Sequence, residues 1–88
     1  MSYDVWNSKA TVVATDLAIA GPGIVKAVSA IGGNVIIRNG TAATDPAVWE
    51  QPIGTTSGEI SISCADGIYV DVGASTTGYI AYISTTVV

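Results

Sequence analysis

Most of the large aliphatic side chains in this sequence are branched at Cβ, and this feature constrains the fold more than any other. The chain contains eleven Ile and eleven Val but a single Leu, Leu17. Branched side chains restrict χ1 and fit a pleated sheet better than a helix. Residues that usually build helices are scarce, with only two Glu and two Lys. The sequence therefore predicts an all-β protein in which no helix is needed.

Glycine, proline, asparagine and aspartate divide the 88 residues into short apolar runs. Seven to eight short antiparallel strands, spaced roughly 8–12 residues apart, are typical of a small β-sandwich or a jelly-roll-like barrel. Residues 1–9 are predicted to form an N-terminal arm and residues 10–88 a single β-sandwich domain. The predicted strands cover residues 10–20, 24–31, 34–38, 48–53, 59–64, 68–72 and 79–83, and the tail after 83 extends the last of them.

Two glycine-containing pairs, Gly32-Gly33 and Asp66-Gly67, predict two-residue hairpins, because type I′ turns need positive φ at their central positions. Pro52 confines the strand over 48–53 to a sheet edge or a strand end, because proline cannot donate to a ladder. The strand over 24–31 is apolar on both faces, which predicts a central place in a sheet or a face against another subunit.

Alternation predicts which side chains face the core. In the strand over 68–72, Ile68, Val70 and Val72 are predicted to point inward, with Tyr69 and Asp71 outward. The strand over 59–64 alternates in the same way, with its inward set ending in Cys64. A lone cysteine at such a position is predicted to be a packed, inert thiol, and no internal disulfide can form from one cysteine.

Charge is sparse and negative. Charged residues make up 11% of the chain and the net charge is −4. The three basic residues, Lys9, Lys26 and Arg38, are scattered, whereas binding to nucleic acid or to an anionic membrane needs clustered basic side chains. Neither partner is therefore predicted, and neither a membrane-spanning helix nor a secretion signal is recognisable.

Apolar residues make up 49% of the sequence and charged residues only 11%, so few charged side chains are available to form the surface. A chain this short buries only about 60–65% of the surface that its unfolded form exposes. Hydrophobic surface left over in this way usually marks an interface. We therefore expect the protein to assemble with copies of itself and with a larger surface.

No catalytic, cofactor-binding or metal-binding residue is predicted. Histidine is absent, and histidine is the commonest general base and a preferred zinc ligand. The seven acidic residues are spread singly along the chain, without the spacing of a calcium loop. The protein is therefore not expected to be an enzyme.

Five aromatic residues, together with Val5 of the N-terminal arm, are the candidates for partner contacts, because Tyr and Trp bury a large area while keeping a polar group. Three of the candidates lie in the N-terminal arm and three in the predicted domain. The candidate interface residues are Tyr3, Val5, Trp6, Trp49, Tyr79 and Tyr82.

Two segments carry a family resemblance: GPGIVKAVSAIGGNVIIRNGT over residues 21–41, and DGIYVDVGASTTGYIAYI over residues 66–83. They resemble the strand-and-turn patterns of small structural proteins of tailed phages, among them the capsid decoration, or cement, proteins. The resemblance implies a homotrimeric β-sandwich that binds the major capsid protein and stabilises the phage head. It also implies a place on the outside of the virion after synthesis in the host cytoplasm, and it carries no catalytic residue.

Two other functions stay open at this point. One is a receptor- or glycan-binding module of a phage tail or head fibre, with Trp49, Tyr69 or Tyr79 exposed in loops as a stacking platform for sugar rings. The other is a small hydrolase, which the absence of histidine disfavours.

Overall fold

The computed structural model describes residues 8–13, 15–73 and 76–84, and it places eight strands and no helix in them. All the strand pairs are antiparallel. The strands are β1 (Ser8–Val13), β2 (Leu17–Ile19), β3 (Gly23–Ile31), β4 (Val35–Asn39), β5 (Ala47–Gln51), β6 (Ile62–Cys64), β7 (Ile68–Val72) and β8 (Thr77–Ser84).

The strands form two four-stranded sheets. The first sheet has the order β1-β8-β3-β6 and the second sheet has the order β2-β7-β4-β5. These two strand orders are those of the eight-stranded jelly roll, a fold built from two Greek keys. The expected all-β fold is confirmed, and β3 occupies a central place in its sheet, between β8 and β6.

Both predicted two-residue hairpins are wrong. Gly32-Gly33 joins β3 of the first sheet to β4 of the second, and Asp66-Gly67 joins β6 of the first sheet to β7 of the second. Of the consecutive strands in the described chain, only β4 and β5 pair with each other. Turn residues reverse the chain direction, but they do not determine whether the next strand pairs with the previous one or crosses to the opposite sheet.

The single strand predicted over residues 10–20 is also wrong, because the chain changes sheets within it. β1 pairs with β8 in the first sheet, while β2 pairs with β7 in the second. In β2 the predicted alternation holds, since Leu17 and Ile19 both pack against the core. The predicted arm, residues 1–9, overlaps β1, and residues 1–7 lie outside the described residues.

The core lies between the two sheets and consists almost entirely of branched aliphatic side chains. Ile37 and Ile68 are the largest of the fully buried ones. Burying these side chains provides the main stabilisation of such a small domain. The buried apolar residues are Val25, Val28, Ala30, Val35, Ile37, Ile62, Cys64, Ile68, Val70, Val72 and Ile80.

The predicted faces of several strands are confirmed. Ile68, Val70 and Val72 of β7 are buried, while Tyr69 and Asp71 between them are only half-buried. The strand before Pro52 ends at Gln51 and lies at the edge of the second sheet, as the proline predicted. The strand predicted over 59–64 is shorter than expected, because β6 begins at Ile62.

The chain from residue 54 to residue 60 runs along β3 and continues the edge of the first sheet beyond β6. Backbone hydrogen bonds join Gly54 N to Ala30 O (2.8 Å) and Ala30 N to Thr55 O (3.0 Å). Further along β3, Ser57 N donates to Val28 O at 2.8 Å. We call residues 54–60 the flanking segment.

Gly67 is a position where only glycine fits without strain. Its φ is +128°, a conformation that other residues rarely adopt. A Cβ there would lie 2.8 Å from the carbonyl oxygen of Gly40 and 3.0 Å from that of Ile19. The turn between β6 and β7 therefore packs backbone to backbone against the ends of β2 and β4, and Gly40 N donates to Gly67 O at 3.0 Å.

Candidate functional site

The outer face of the second sheet carries a charged network whose members bind one another. Arg38 Nε donates to Asp71 Oδ2 at 3.0 Å, and these side chains are 21% and 26% exposed. Arg38 Nη1 donates to the carbonyl oxygen of Asp45 at 3.0 Å. The guanidinium therefore joins β7 to the loop between β4 and β5.

Asp16 lies in the segment that joins β1 to β2, and its carboxylate hydrogen bonds to β7 of the second sheet. Its Oδ1 accepts a hydrogen bond from Val72 N at 2.9 Å, and its Oδ2 accepts one from the Tyr69 hydroxyl at 2.6 Å. The hydrogen bond to Asp16 is the main cause of a raised pKa at Tyr69; desolvation and the charges of Asp16 and Asp71 add to it, and Arg38 opposes it. Tyr69 is therefore held in its neutral form as a hydrogen-bond donor.

We expect the replacement of Asp16 by Asn to lower the pKa of Tyr69. The amide removes the negative charge that disfavours the phenolate. Because the folded pKa of Tyr69 lies above its ordinary value near 10, its contribution to stability is present below pH 10 and is lost as the pH rises through the folded pKa. NMR titration of the tyrosine Cζ resonance, assigned by Tyr69→Phe, measures the shift; an unchanged or raised pKa contradicts the proposed cause.

Two further carboxylates are engaged within the chain. Asp45 Oδ2 accepts hydrogen bonds from the backbone N–H groups of Thr41 and Ala42, each at 3.0 Å. Glu50 Oε2 accepts one from Asn34 Nδ2 at 3.1 Å. The hydrogen-bonding groups of this side of the molecule are thus largely satisfied by one another.

The outer face of the first sheet has a different character. Across the described side chains of β3, β6 and β8, the only residue charged at neutral pH is Lys26. Lys26 lies at a β-bulge between Val25 and Ala27. The side chains that alternate outward on β3, β6 and β8 are aliphatic, hydroxyl-bearing or aromatic: Ile24, Ala27, Ser29, Ile31, Ser63, Thr77, Tyr79, Ala81 and Ile83.

One end of this face carries exposed apolar side chains, and Ile53, which follows β5, is brought beside it by the hydrogen bond from Gly54 N to Ala30 O. Ile31 is 53% exposed, Ile53 57% and Tyr79 44%, and these are three of the four exposed large hydrophobic residues in the described chain. Tyr79 lies opposite Ser29 on β3, and Ser29 hydrogen bonds through its hydroxyl to Thr56 at 2.9 Å. We call Ile31, Ile53 and Tyr79, with the hydroxyls of Ser29 and Thr56, the apolar patch.

The candidate interface residues that the structure describes differ in their exposure. Tyr79 is exposed, as a contact residue would be. Trp49 and Tyr82 are partly buried and pack against the core, and Trp49 Nε1 donates to Gln51 Oε1 at 3.0 Å. The other three candidates, Tyr3, Val5 and Trp6, lie outside the described residues.

Sequence reasoning did not single out Ile31 or Ile53. Ile31 ends a strand that the sequence indicated to be apolar on both faces, and that pattern was the available signal for an exposed apolar end. Ile53 was assigned to a strand, whereas it follows the end of β5 and is brought to β3 by the flanking segment. Its place in the patch depends on a pairing between segments far apart in sequence.

Cys64 is buried, as predicted, and burial raises its pKa. A raised pKa keeps the thiol protonated and poorly nucleophilic at neutral pH. Beside it lies an open depression of about 220 Å³, lined by Pro22, Gly23, Ile24, Ser63, Cys64 and Ala65. This volume is smaller than the roughly 300–1,000 Å³ typical of small-molecule sites, and the lining carries no charged side chain.

No group of three or more Cys, Asp or Glu residues in the described chain is arranged to hold a metal ion. Within the same residues, no helix has the length and hydropathy needed to cross a membrane. The surface feature with the clearest chemical character is therefore the contrast between the two outer faces. No family model, curated protein or solved structure matches this chain.

Proposed function

We propose that this chain is a non-enzymatic structural protein of a tailed-phage capsid. In this proposal it is a decoration protein that forms a homotrimer and binds the lattice of the major capsid protein on the outside of the head. It needs no cofactor, and neither nucleic acid nor membrane is among its partners. Synthesis takes place in the host cytoplasm, before assembly onto the virion.

The observation that carries the proposal is the unequal character of the two outer faces. The second sheet presents Arg38, Asp71 and Asp16 in hydrogen bonds within the chain. Among its described side chains, on β3, β6 and β8, the first sheet presents Lys26 as the one charged group, and it ends in exposed Ile31 and Tyr79. Contiguous apolar surface on a small protein usually marks a protein interface, and an interface centre depleted of charge is the usual composition.

The fold and the sequence resemblance support the same function. Jelly rolls occur in viral capsid proteins, although also in lectin domains and cupins, so the fold alone does not decide. The first resembling segment, residues 21–41, corresponds to β3, the crossing at Gly32-Gly33 and β4. That segment contains Ile31, so the resemblance includes part of the apolar patch.

The properties of the reactive groups favour a structural role. The pKa of Cys64 and the pKa of Tyr69 are both raised, so both side chains keep their protons at neutral pH. A cysteine that acts as a catalytic nucleophile usually has a lowered pKa instead. A capsid adhesive needs none of this chemistry, because many modest contacts are multiplied by copy number and by the symmetry of the shell.

The glycan-binding alternative has less support. Its three aromatic residues lie on strands and do not form one platform: Tyr69 belongs to the second sheet and Tyr79 to the first. Trp49 packs against the core. Each ring would have to bind sugar alone, whereas the apolar patch combines one ring with two exposed isoleucines.

Imaging of decorated heads tests the proposal. Purified protein is mixed with expanded heads, lacking decoration, of the phage that encodes the chain, and the heads are examined by cryo-electron microscopy. We expect ordered trimeric density at three-fold and quasi-three-fold positions, and no density after addition of heat-unfolded protein. Bare heads at saturating protein concentration would contradict the proposal, and binding to host surface polysaccharide in the same preparation would favour the fibre alternative.

A further inference from the structure

We infer that Asn39-Gly40 is a latent deamidation site, which the folded protein shields and which reacts when the contacts around it open. The sequence contains three asparagines, Asn7, Asn34 and Asn39, and Asn39 is the one that precedes a glycine. Asparagine before glycine is the pair most prone to deamidation, because glycine has no side chain to hinder attack by its backbone nitrogen. The site is independent of the proposed function and concerns the chemical lifetime of the chain.

The reaction needs water and atoms of the chain alone. The backbone nitrogen of Gly40 attacks Cγ of Asn39, so that the N–Cγ bond forms and the Cγ–Nδ2 bond breaks. Ammonia leaves with the proton that the backbone nitrogen has lost, and a cyclic imide remains. Water then opens the imide at either carbonyl, which gives aspartate or isoaspartate at position 39. No group is oxidised or reduced.

Both reacting groups are engaged in hydrogen bonds in the folded protein. Gly40 N donates to Gly67 O at 3.0 Å, and it loses this bond when it gives up its proton. Asn39 Oδ1 accepts a hydrogen bond from Asp66 N at 2.9 Å, which fixes the side-chain amide. We call these two hydrogen bonds the turn contact. Ring closure requires that both of them break.

The backbone around the site is held as well. Asn39 is the last residue of β4 and pairs with Ile68 of β7, and its own N–H donates to Pro46 O at 2.9 Å. Gly40 is buried, which limits the access of the water or hydroxide that removes its proton. The rotation that would bring Gly40 N to Cγ of Asn39 therefore requires the end of β4 to open first.

The isoaspartyl product does not fit the folded structure. It places one additional carbon in the main chain between positions 39 and 40. The packing there has no spare room, since a Cβ on Gly67 would already lie 2.8 Å from Gly40 O and 3.0 Å from Ile19 O. A chain that converts to isoaspartate while it is open therefore cannot re-form the turn contact.

A comparison of the folded and unfolded wild type tests the shielding. The protein is incubated at mildly alkaline pH in buffer or in guanidinium chloride, and it is then cleaved after lysine at slightly acidic pH. The fragment 27–88 contains both Asn34 and Asn39, and tandem mass spectrometry locates the mass gain that replacement of NH2 by OH produces. Asn34 is the internal control, because the branched side chain of Val35 hinders attack by its nitrogen.

We expect Asn39 to convert at least about tenfold more slowly in the folded protein than in the unfolded chain, because a reaction of the open state follows the population of that state. In the unfolded chain Asn39 should convert well ahead of Asn34. Equal rates at Asn39 in the folded and unfolded protein would overturn the inference. Conversion of Asn34 ahead of Asn39 in the unfolded chain would overturn it too.

Gly67→Ala tests the turn contact itself, with Gly58→Ala as its matched control. Both glycines have positive φ, so both variants strain the backbone, but a Cβ at Gly58 has no atom within 4 Å whereas one at Gly67 meets Gly40 O. In buffer, Gly67→Ala should convert Asn39 at least about tenfold faster than the wild type, and Gly58→Ala should stay within about threefold. Equal rates in the two variants would contradict shielding by the turn contact.

Circular dichroism checks the fold of both variants; if Gly67→Ala does not fold, the comparison of folded and unfolded wild type decides. Refolding tests the fate of the product. Partly converted wild type is diluted out of guanidinium chloride, and the native fraction is collected by size-exclusion chromatography. Isoaspartate at position 39 should be depleted several-fold in that fraction. Its recovery in the same proportion as in the starting mixture would show that the product fits the fold and would overturn this part of the inference.

Discussion

Replacement of Ile37 by Ala is expected to lower the free energy of unfolding by about 2–5 kcal/mol, the usual range for deleting a large buried aliphatic group. Ile37 is fully buried and is among the largest side chains of the core. It lies on β4 between Trp49 of β5 and Val70 of β7. The alanine leaves a cavity that these rigid neighbours cannot fill, so both the transfer free energy and the packing contacts are lost.

Urea denaturation monitored by circular dichroism measures this loss in the free energy of unfolding. All variants are compared at one protein concentration, because association also contributes to stability. Ile36→Ala is the control, because Ile36 is the neighbour on β4 whose side chain is half-buried on the outer face. Its cost should stay near 1 kcal/mol or less. Equal losses for the two variants would contradict the assignment of faces to β4.

Replacement of Gln51 by Glu is expected to destabilise the protein by about 2–4 kcal/mol at pH 7, because it places an unpaired charge in a buried site. Gln51 is 5% exposed. Its Oε1 accepts from Trp49 Nε1, and its Nε2 donates to Thr55 Oγ1 at 2.6 Å. The Thr55 hydroxyl donates its own proton to Pro52 O, so a carboxylate at 51 would face an oxygen with no proton between them.

The pH dependence identifies this cause. Burial should raise the pKa of the introduced carboxyl above its ordinary value near 4.3. The folded state then binds the proton more tightly than the unfolded state, so the variant gains stability relative to the wild type as the pH falls. Chemical denaturation of both proteins at pH 7 and pH 4 measures this difference; a loss that is the same at both values would contradict it.

Glu50→Gln serves as the control for Gln51→Glu, because Glu50 is exposed and its hydrogen bond from Asn34 can be kept by an amide oxygen. Its effect should be within about 0.5 kcal/mol. Gln51 also links the core to the apolar patch, since Thr55 belongs to the flanking segment that positions Ile53 and Thr56.

The sequence predicted local features of the fold well, because these depend on neighbouring residues. Alternation identified the buried face of β7, and Pro52 indicated the edge position of β5. The free thiol of Cys64 was expected in the core and is buried there. Each of these inferences uses one strand and its own periodicity, without reference to its partner.

Strand pairing could not be predicted in the same way. Gly32-Gly33 and Asp66-Gly67 have the composition of hairpin turns, yet each joins strands in opposite sheets. In a jelly roll most partners are distant in sequence, as β3 and β8 are. For the same reason, only part of the candidate interface could be predicted. Tyr79 could be named from its residue type, but Ile53 reaches the patch only through the pairing of the flanking segment with β3.

The central claim is that this jelly roll completes its surface with copies of itself. Sedimentation equilibrium of the untagged protein, from about 1 to 500 µM, tests it most directly. The account predicts a mass that rises to about 27 kDa, three times the 8.9 kDa of one chain. A mass that stays at 8.9 kDa over the whole range would contradict it.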